Sequence, residues 1–282
     1  MATGIKGLIV KVNRKPLIFL LLLFVTAALL LWARWRPAQR FDLSAVSTSD
    51  FRLVTWNVGY FAITANKNMR DLDVNEVSNV LKAIDAQVVI LQELGELLQA
   101  TRIAGNMGTN WQAYSVSTGH NGQVLTILSP LDVEFEEDII CGGRATKGVT
   151  IQDGINKSVY VLGVHSPHPA RGMAAKIASI RCSIEHARTR SEAIRLVAGD
   201  LNYNFEENRS GGLYTDILTD FGDGTIAAGE TYYAHTRIDH VFHYPKTLTV
   251  VQDESGMVDL DTRIADIPGF RDHWPIVVSY QL

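Results

Sequence analysis

Apolar and polar positions follow two periods along most of the chain, and these periods predict its elements. Leu53 to Val58 alternates, with Thr55 and Asn57 on one face and Val54, Trp56 and Val58 on the other, as in a strand. Short β-like runs at Val88–Leu91, Val124–Leu128, Lys147–Gln152, Ser158–Val164, Ile194–Ala198, Thr247–Val251 and Ile276–Tyr280 predict further strands between polar turns. Val77, Val80, Leu81 and Ile84 carry helical spacing, with Asp73 or Asn75 as the cap. Met173, Ile177, Ile180 and Ile184 mark a second helix. Strands outnumber helices and the two types intermix, which indicates a layered α/β domain.

One segment follows neither period. From Pro16 to Ala33 the sequence PLIFLLLLFVTAALLLWA is apolar all round and carries no charge over 18 residues. That length is near the minimum for a membrane-crossing helix. Trp32 and Trp35 at one end suit the headgroup level, and basic residues flank both ends. A cleavable signal peptide is the rival reading, but Ala27-Ala28 is followed by Leu-Leu-Leu-Trp, not by a small-residue cleavage site. An uncleaved anchor is therefore expected. Four basic residues precede the span and three follow it, which favours a cytoplasmic N-terminus and an outward-facing, extracytoplasmic domain. The expected organisation is a basic tail 1–15, a transmembrane helix 16–33, a linker 34–50 and a catalytic domain 51–282.

Charge sharpens this division. Of 26 basic residues, seven lie before Phe41, where there is no acidic one. The remainder carries 19 basic against 30 acidic side chains, a net of −11. Such a domain lacks the overall attraction by which nonspecific nucleic-acid binders hold phosphates. Cys141 and Cys182 are too few for a disulfide framework and form no zinc motif, and they are free to pair or to stay reduced.

Polar residues gather at the ends of predicted strands. LVTWNV carries Asn57, VVILQEL carries Glu93, VLGVHSPHP carries His165, RLVAGDLN carries Asp200 and Asn202, and RIDHVF carries Asp239. FRDHWPIVV sets Asp272 and His273 just before a strand. Each alone has a plain structural reading as a cap, a turn residue or a packed imidazole. Together they supply hard oxygen donors suited to Mg2+ or Mn2+ and two groups that titrate near neutrality. No nucleophilic Ser or Cys motif accompanies them, so metal-assisted hydrolysis of a phosphate ester is the chemistry they suggest.

In this order the motifs resemble the endonuclease/exonuclease/phosphatase superfamily. FRLVTWNV, VILQEL, LTILSPL, VLGVHSPHP, GDLN, RIDHVF and RDHWPI fall in family order from about Phe51 to Leu282. The resemblance implies a DNase-like, four-layer sandwich of two packed β-sheets flanked by helices, preceded here by the N-terminal transmembrane helix. It implies that Glu93 binds the metal with Asn57 and Asp272, and that Asp200 and Asn202 position the attacking water. His273 would be oriented by Asp239, and His165 would stabilise the transition state or protonate the leaving group. Arg144 in GGRATKGV, or else Lys147, would contact the phosphate. The expected cofactor is Mg2+, with Mn2+ as substitute.

Two residues depart from the family pattern: His240 stands where an aromatic is common, and Arg271 replaces a small residue, both expected at the pocket rim. Residues 95–122 and 203–236 are expected to be rim loops, and nothing in them spells a ligand. A monomeric, membrane-anchored phosphoesterase acting on a lipid or small-molecule phosphate is the leading expectation. An extracytoplasmic nuclease acting on DNA or RNA stands as the alternative, and a non-catalytic tethered binding module as the second.

Overall fold

Packing between two sheets sets the geometry of everything else in this domain. The computed structural model describes residues 39–44, 47–59, 71–119, 122–152, 157–208, 212–232, 236–260 and 273–282. In chain order the elements are β1 (Phe51–Asn57), α1 (Asp71–Ile84), β2 (Val88–Leu94), α2 (Leu97–Met107), β3 (Gln112–Ser117), β4 (Val124–Ser129), β5 (Val133–Cys141), β6 (Arg144–Gln152), β7 (Ser158–His165), α3 (Met173–Thr189), β8 (Ile194–Asp200), α4 (Leu213–Ile217), β9 (Gly222–Asp223), β10 (Asp239–Tyr244), β11 (Thr249–Val250), β12 (Gly256–Met257) and β13 (Ile276–Gln281). One sheet runs β11-β13-β1-β2-β4-β3, with β12 also paired to β13, and the other runs β5-β6-β7-β8-β10-β9. Within each sheet one central pair is parallel, β1 with β2 and β7 with β8. The expected apolar stretch 16–33 lies outside the described residues, among which no helix is long and apolar enough to cross a membrane.

The period-2 alternation sorts side chains into three layers of contact. Leu53, Val88, Ile90, Leu125 and Ile127 of the first sheet meet Val149, Val161, Leu196, Ala198 and Val241 of the second, all fully buried. The opposite faces of β1 and β2 present Val54, Trp56, Val89 and Leu91 to Val77, Leu81 and Ile84 of α1 and Ile103 of α2. Leu162, Val164, Val197 and Phe242 pack against Ile180 and Ile184 of α3 and Ile217 of α4. Helix, sheet, sheet and helix therefore stack as four layers. Gly163 of β7 lets the sheets approach, since a Cβ there would lie 3.1 Å from Ile90 Cγ2.

Several expectations need correction. α1 is already helical at Asp71, so Asp73 and Asn75 are interior positions and not caps. Residues 95–122 are not a rim loop but hold α2 and β3. Exposed Leu97 and Leu98 obscure the period there, while Gln99, Ala100, Ile103 and Ala104 form the buried face. Within 203–236 stand α4 and β9. β5 escaped notice because this edge strand is largely exposed and reads VEFEEDIIC, with little apolar alternation. Cys141 and Cys182 form a disulfide with Cα atoms 5.4 Å apart, tying the end of β5 to α3 across 41 residues. Such a link typically stabilises by about 2–4 kcal/mol.

Residues expected as linker also join the domain. Phe41 N–H donates to the Met257 carbonyl, and the Phe41 ring lies under the Arg52 guanidinium, 5.0 Å from its centroid. Glu254 clasps the chain just before β1, accepting from Ser47 Oγ, from the Thr48 hydroxyl and N–H, and from Ser49 N–H. It also pairs with buried Arg52 at 3.0 Å. Burial works to raise the Glu254 carboxyl, but the hydrogen bonds from Thr48, Ser49 and Ser47 outweigh it and hold the group at about 2, against an ordinary 4.5. Because the folded value lies below the unfolded one, this clasp stabilises fully above about pH 4.5 and is lost as pH falls toward 2. Glu254→Gln should lower the urea midpoint at pH 7, with the gap to the parent closing by pH 2–3; an equal gap at both pH values would show that the clasp does not titrate this way.

Candidate active site

The two central parallel pairs end at the same edge of the sandwich, where open α/β sheets place their ligands. β1 ends at Asn57, whose partner in register is Gln92, so Glu93 of β2 lies one residue beyond it. β7 and β8 end together, with His165 in register with Asp200, and Asp239 opens β10 opposite Asp200. Local backbone aims two of these side chains. Glu93 sits at φ 64° where the β2–β4 register breaks between Leu91 and Leu94, a bulge of the kind that redirects a side chain. Asn202 takes φ 51°, folding back so that its N–H donates to Asp200 Oδ1 at 2.7 Å. Gly199 is required by this crowding, since at φ 146° a Cβ would fall 1.8 Å from the Val164 carbonyl oxygen.

Asp200 is the hub. Its Oδ2 accepts from Asn57 Nδ2 at 3.0 Å and from Asn202 Nδ2 at 2.9 Å. The same oxygen lies 3.6 Å from His165 Nε2 and 4.0 Å from His273 Nε2. Glu93 Oε1 stands 3.4 Å from His165 Nε2. His273 Nδ1 and Asp239 Oδ2 are 2.8 Å apart, and the carboxylate can only accept, so Nδ1 carries a proton and Nε2 is the nitrogen turned toward Asp200. Arg144 Nη1 lies 3.0 Å from His165 Nδ1, and a guanidinium can only donate, which puts the His165 proton on Nε2.

Burial governs the charges. It pushes the Asp200 carboxyl up to about 7, with His273 opposing, Asp239 reinforcing, and the hydrogen bonds from Asn202 and Asn57 pulling back. Burial also lowers the Arg144 guanidinium, against the pull of Asp200 and Glu93. Arg144 Nε is buried without a partner among the described residues, leaving this cation donors to spare.

Of the expected site residues, the structure brings together Asn57, Glu93, His165, Asp200, Asn202, Asp239, His273 and Arg144. Asp272 and Arg271 lie outside the described residues. Lys147 does not join the cluster. Strand alternation puts it on the face opposite Arg144, where its ammonium is held by Glu136 and Asp138, each at 2.9 Å. His240 is no rim residue either: it is fully buried, stacked parallel on Phe242 and edge-on to Phe205. Burial holds this imidazole down at about 4 despite Asp223, so it packs as a neutral ring in the place of an aromatic. Sequence reading missed the supports. Thr231 Oγ1 accepts from Asp239 N–H at 3.1 Å, Trp56 Nε1 donates to the His273 carbonyl at 3.2 Å, and the Tyr232 ring lies 4.8 Å from that of His273. These are ordinary residues in loops or apolar faces, and no pattern singles them out.

A divalent cation fits these donors. One ligand atom each from Glu93, His165 and Asp200 lies within 4.8 Å of the others, and Asp200, Asp239 and His273 form a second such group. The set is mainly hard carboxylate oxygen, with the Asn57 amide adjoining, as magnesium and manganese prefer.

Comparison with known proteins places the chain in a family and agrees with the fold. Residues 54–261 match the model of the Endonuclease/Exonuclease/phosphatase family. No curated protein matches the sequence. Among solved structures, the endonuclease/exonuclease/phosphatase from Beutenbergia cavernae DSM 12333 is similar, with a TM-score of 0.62 at 19% identity over 82% of this chain and 71% of that one. Humanized D. rerio TDP2 gives 0.64 at 17% identity over 82% and 99%. The mannosyl-6-phosphatase of Bacteroides thetaiotaomicron VPI-5482 gives 0.60 at 14% over 82% and 100%. At such identities the likeness is one of fold.

Glu93→Gln should weaken Mn2+ binding, measured by calorimetry on the full chain, by at least about 10-fold, the scale on which even supporting residues of metal sites act. An unchanged affinity would remove Glu93 from the ligand set.

Proposed function

Because the chain belongs to the Endonuclease/Exonuclease/phosphatase family, and is thereby a hydrolase of phosphate ester bonds, we propose that it is a membrane-anchored, Mg2+-dependent phosphoesterase whose active site faces outward. The observation that carries the chemistry is the convergence of Asn57, His165, Asn202 and His273 on the single oxygen Oδ2 of Asp200, with Glu93 beside it. Glu93 and Asn57 would hold the cation, with Asp272 as the third ligand that the sequence suggests. A bound Mg2+, or Mn2+ in its place, cancels charge on the phosphoryl oxygens and lowers the pKa of water.

The protein's own groups do the rest. Asp200, fixed by two side-chain amides, accepts a hydrogen bond from the attacking water and orients it. The Nε2 lone pair of His273 takes the proton, and Asp239 keeps that imidazole in the required tautomer and steadies its positive charge. His165 donates from Nε2 to a phosphoryl or leaving-group oxygen. Arg144 fixes the His165 tautomer and turns its remaining donors toward the phosphate, as a preorganised cation in a dry site. A domain net charge of −11 favours a lipid or small-molecule phosphate over a long polyanion, because the substrate's charge is met only locally.

Two features support the membrane placement. The uncharged run 16–33 is bounded by basic residues. The Cys141–Cys182 disulfide belongs to oxidising compartments, since cytosolic thiols are usually kept reduced.

Purified full chain in detergent with Mg2+ should hydrolyse sphingomyelin, phosphoinositides or nucleotides in preference to plasmid DNA or RNA. Asp200→Asn should cut the rate by on the order of 100-fold or more, the usual cost of one well-placed charge-stabilising group. Preference for DNA or RNA would favour the nuclease reading, and near-parental turnover by Asp200→Asn would sink the site assignment. For topology, alkaline phosphatase fused after Leu282 should be active and green fluorescent protein there dark; the reverse would put the domain in the cytoplasm.

A further inference from the structure

Lys176, in the first turn of α3, is a charged side chain buried beside the site and given no role above. Its ammonium donates to the backbone carbonyl of Asn202, with no second hydrogen-bond partner among the described residues. Taking an ammonium out of water is costly unless something is gained. Burial pushes Lys176 down from its ordinary value, and the Asp200 carboxylate works against that shift. The carbonyl it grips belongs to Asn202, one of two site residues with left-handed backbone, at φ 51°. Only in that conformation does Asn202 close over Asp200, its N–H on Oδ1 and its side-chain amide on Oδ2 and on the Ser166 carbonyl. Left-handed backbone at a side-chain-bearing residue persists only where its surroundings over-determine it.

We propose that Lys176 is a positioning residue for the hydrolysis: by holding the Asn202 carbonyl it locks the turn 200–202, and through that turn it fixes Oδ2 of Asp200 where Asn57, His165 and His273 meet. The cation also attracts the buried Asp200 carboxylate through space. Its effect on rate rests on the phosphoesterase reading; its effect on the turn does not.

The discriminating variant is Lys176→Met, which keeps the length and apolar stem. Methionine fills the same buried volume, but removing one of two interacting buried charges is destabilising, so the melting temperature is read beside the rate. Misplacing a reacting group by about an ångström can cost on the order of 100-fold, so kcat on bis(p-nitrophenyl) phosphate should fall about 10–100-fold, with KM within about threefold. Lys176→Arg should recover most of that loss, whereas a residue needed only for folding would lower the melting temperature and leave kcat per folded molecule intact. Hydrogen exchange supplies the arm that needs no substrate: in Lys176→Met, amides of residues 201–208 should exchange about 10-fold faster while those of β8 stay unchanged. Lys176→Leu, which also lacks a donor, serves both assays should the Met variant fail to fold. Unchanged exchange in 201–208, or kcat within twofold of the parent, would overturn the proposal. A parent chain inert toward every phosphate ester would instead refute the phosphoesterase reading, leaving the exchange result to judge Lys176 alone.

Discussion

The site depends on keeping one carboxylate, that of Asp200, away from bulk water while every contact it loses there is replaced. A buried charge without partners would protonate or unfold its surroundings. Here the replacements come from separate elements: an amide from the end of β1, a backbone N–H and an amide from the turn after β8, and imidazoles near β7 and β13. The Asn202 contacts are local to the turn and His165 belongs to the same sheet, but Asn57 and His273 approach Asp200 only when both sheets are formed and stacked. Completion of the fold and assembly of the site are thus one event.

Supporting residues share a logic of their own. Arg144 and Asp239 each hold one imidazole by the nitrogen turned away from Asp200, and so decide which tautomer it sees. Thr231 in turn holds the backbone of Asp239, and Trp56 that of His273. Position and protonation are therefore set by different atoms. Changing a support alters the state of a reacting group without removing it.

Much of this was legible in the sequence because the reacting side chains are polar residues ending apolar runs, a conflict that local structure does not require. Asn57, Glu93, His165, Asp200 and Asp239 all stand out in that way. Illegible were the groups whose side chains look ordinary where they lie: Lys176 in an amphipathic helix, Thr231 in a loop, Trp56 on a core face. Lys147 misled because a cation near a strand end reads alike whether it faces the site or its acidic neighbours; only strand alternation separates it from Arg144. β5 and α2 were missed for a related reason, since exposed apolar residues and edge charges blur a period that burial would sharpen. His240 shows the converse, a titratable residue that the fold uses for its flat ring.

The two sheets each contribute part of the constellation, so the gap between them is itself a catalytic dimension. Gly163 stands two residues before His165 and Ile90 three before Glu93, and a Cβ on the glycine would lie 3.1 Å from Ile90 Cγ2. The glycine acts as a spacer of zero thickness. A methyl group there would push against Ile90 Cγ2 and work as a wedge, opening the distance between Glu93 and His165 with no polar atom altered. At this point in the core, side-chain volume is read out as reaction geometry, and an apparently conservative exchange would be screened by turnover before it was screened by stability.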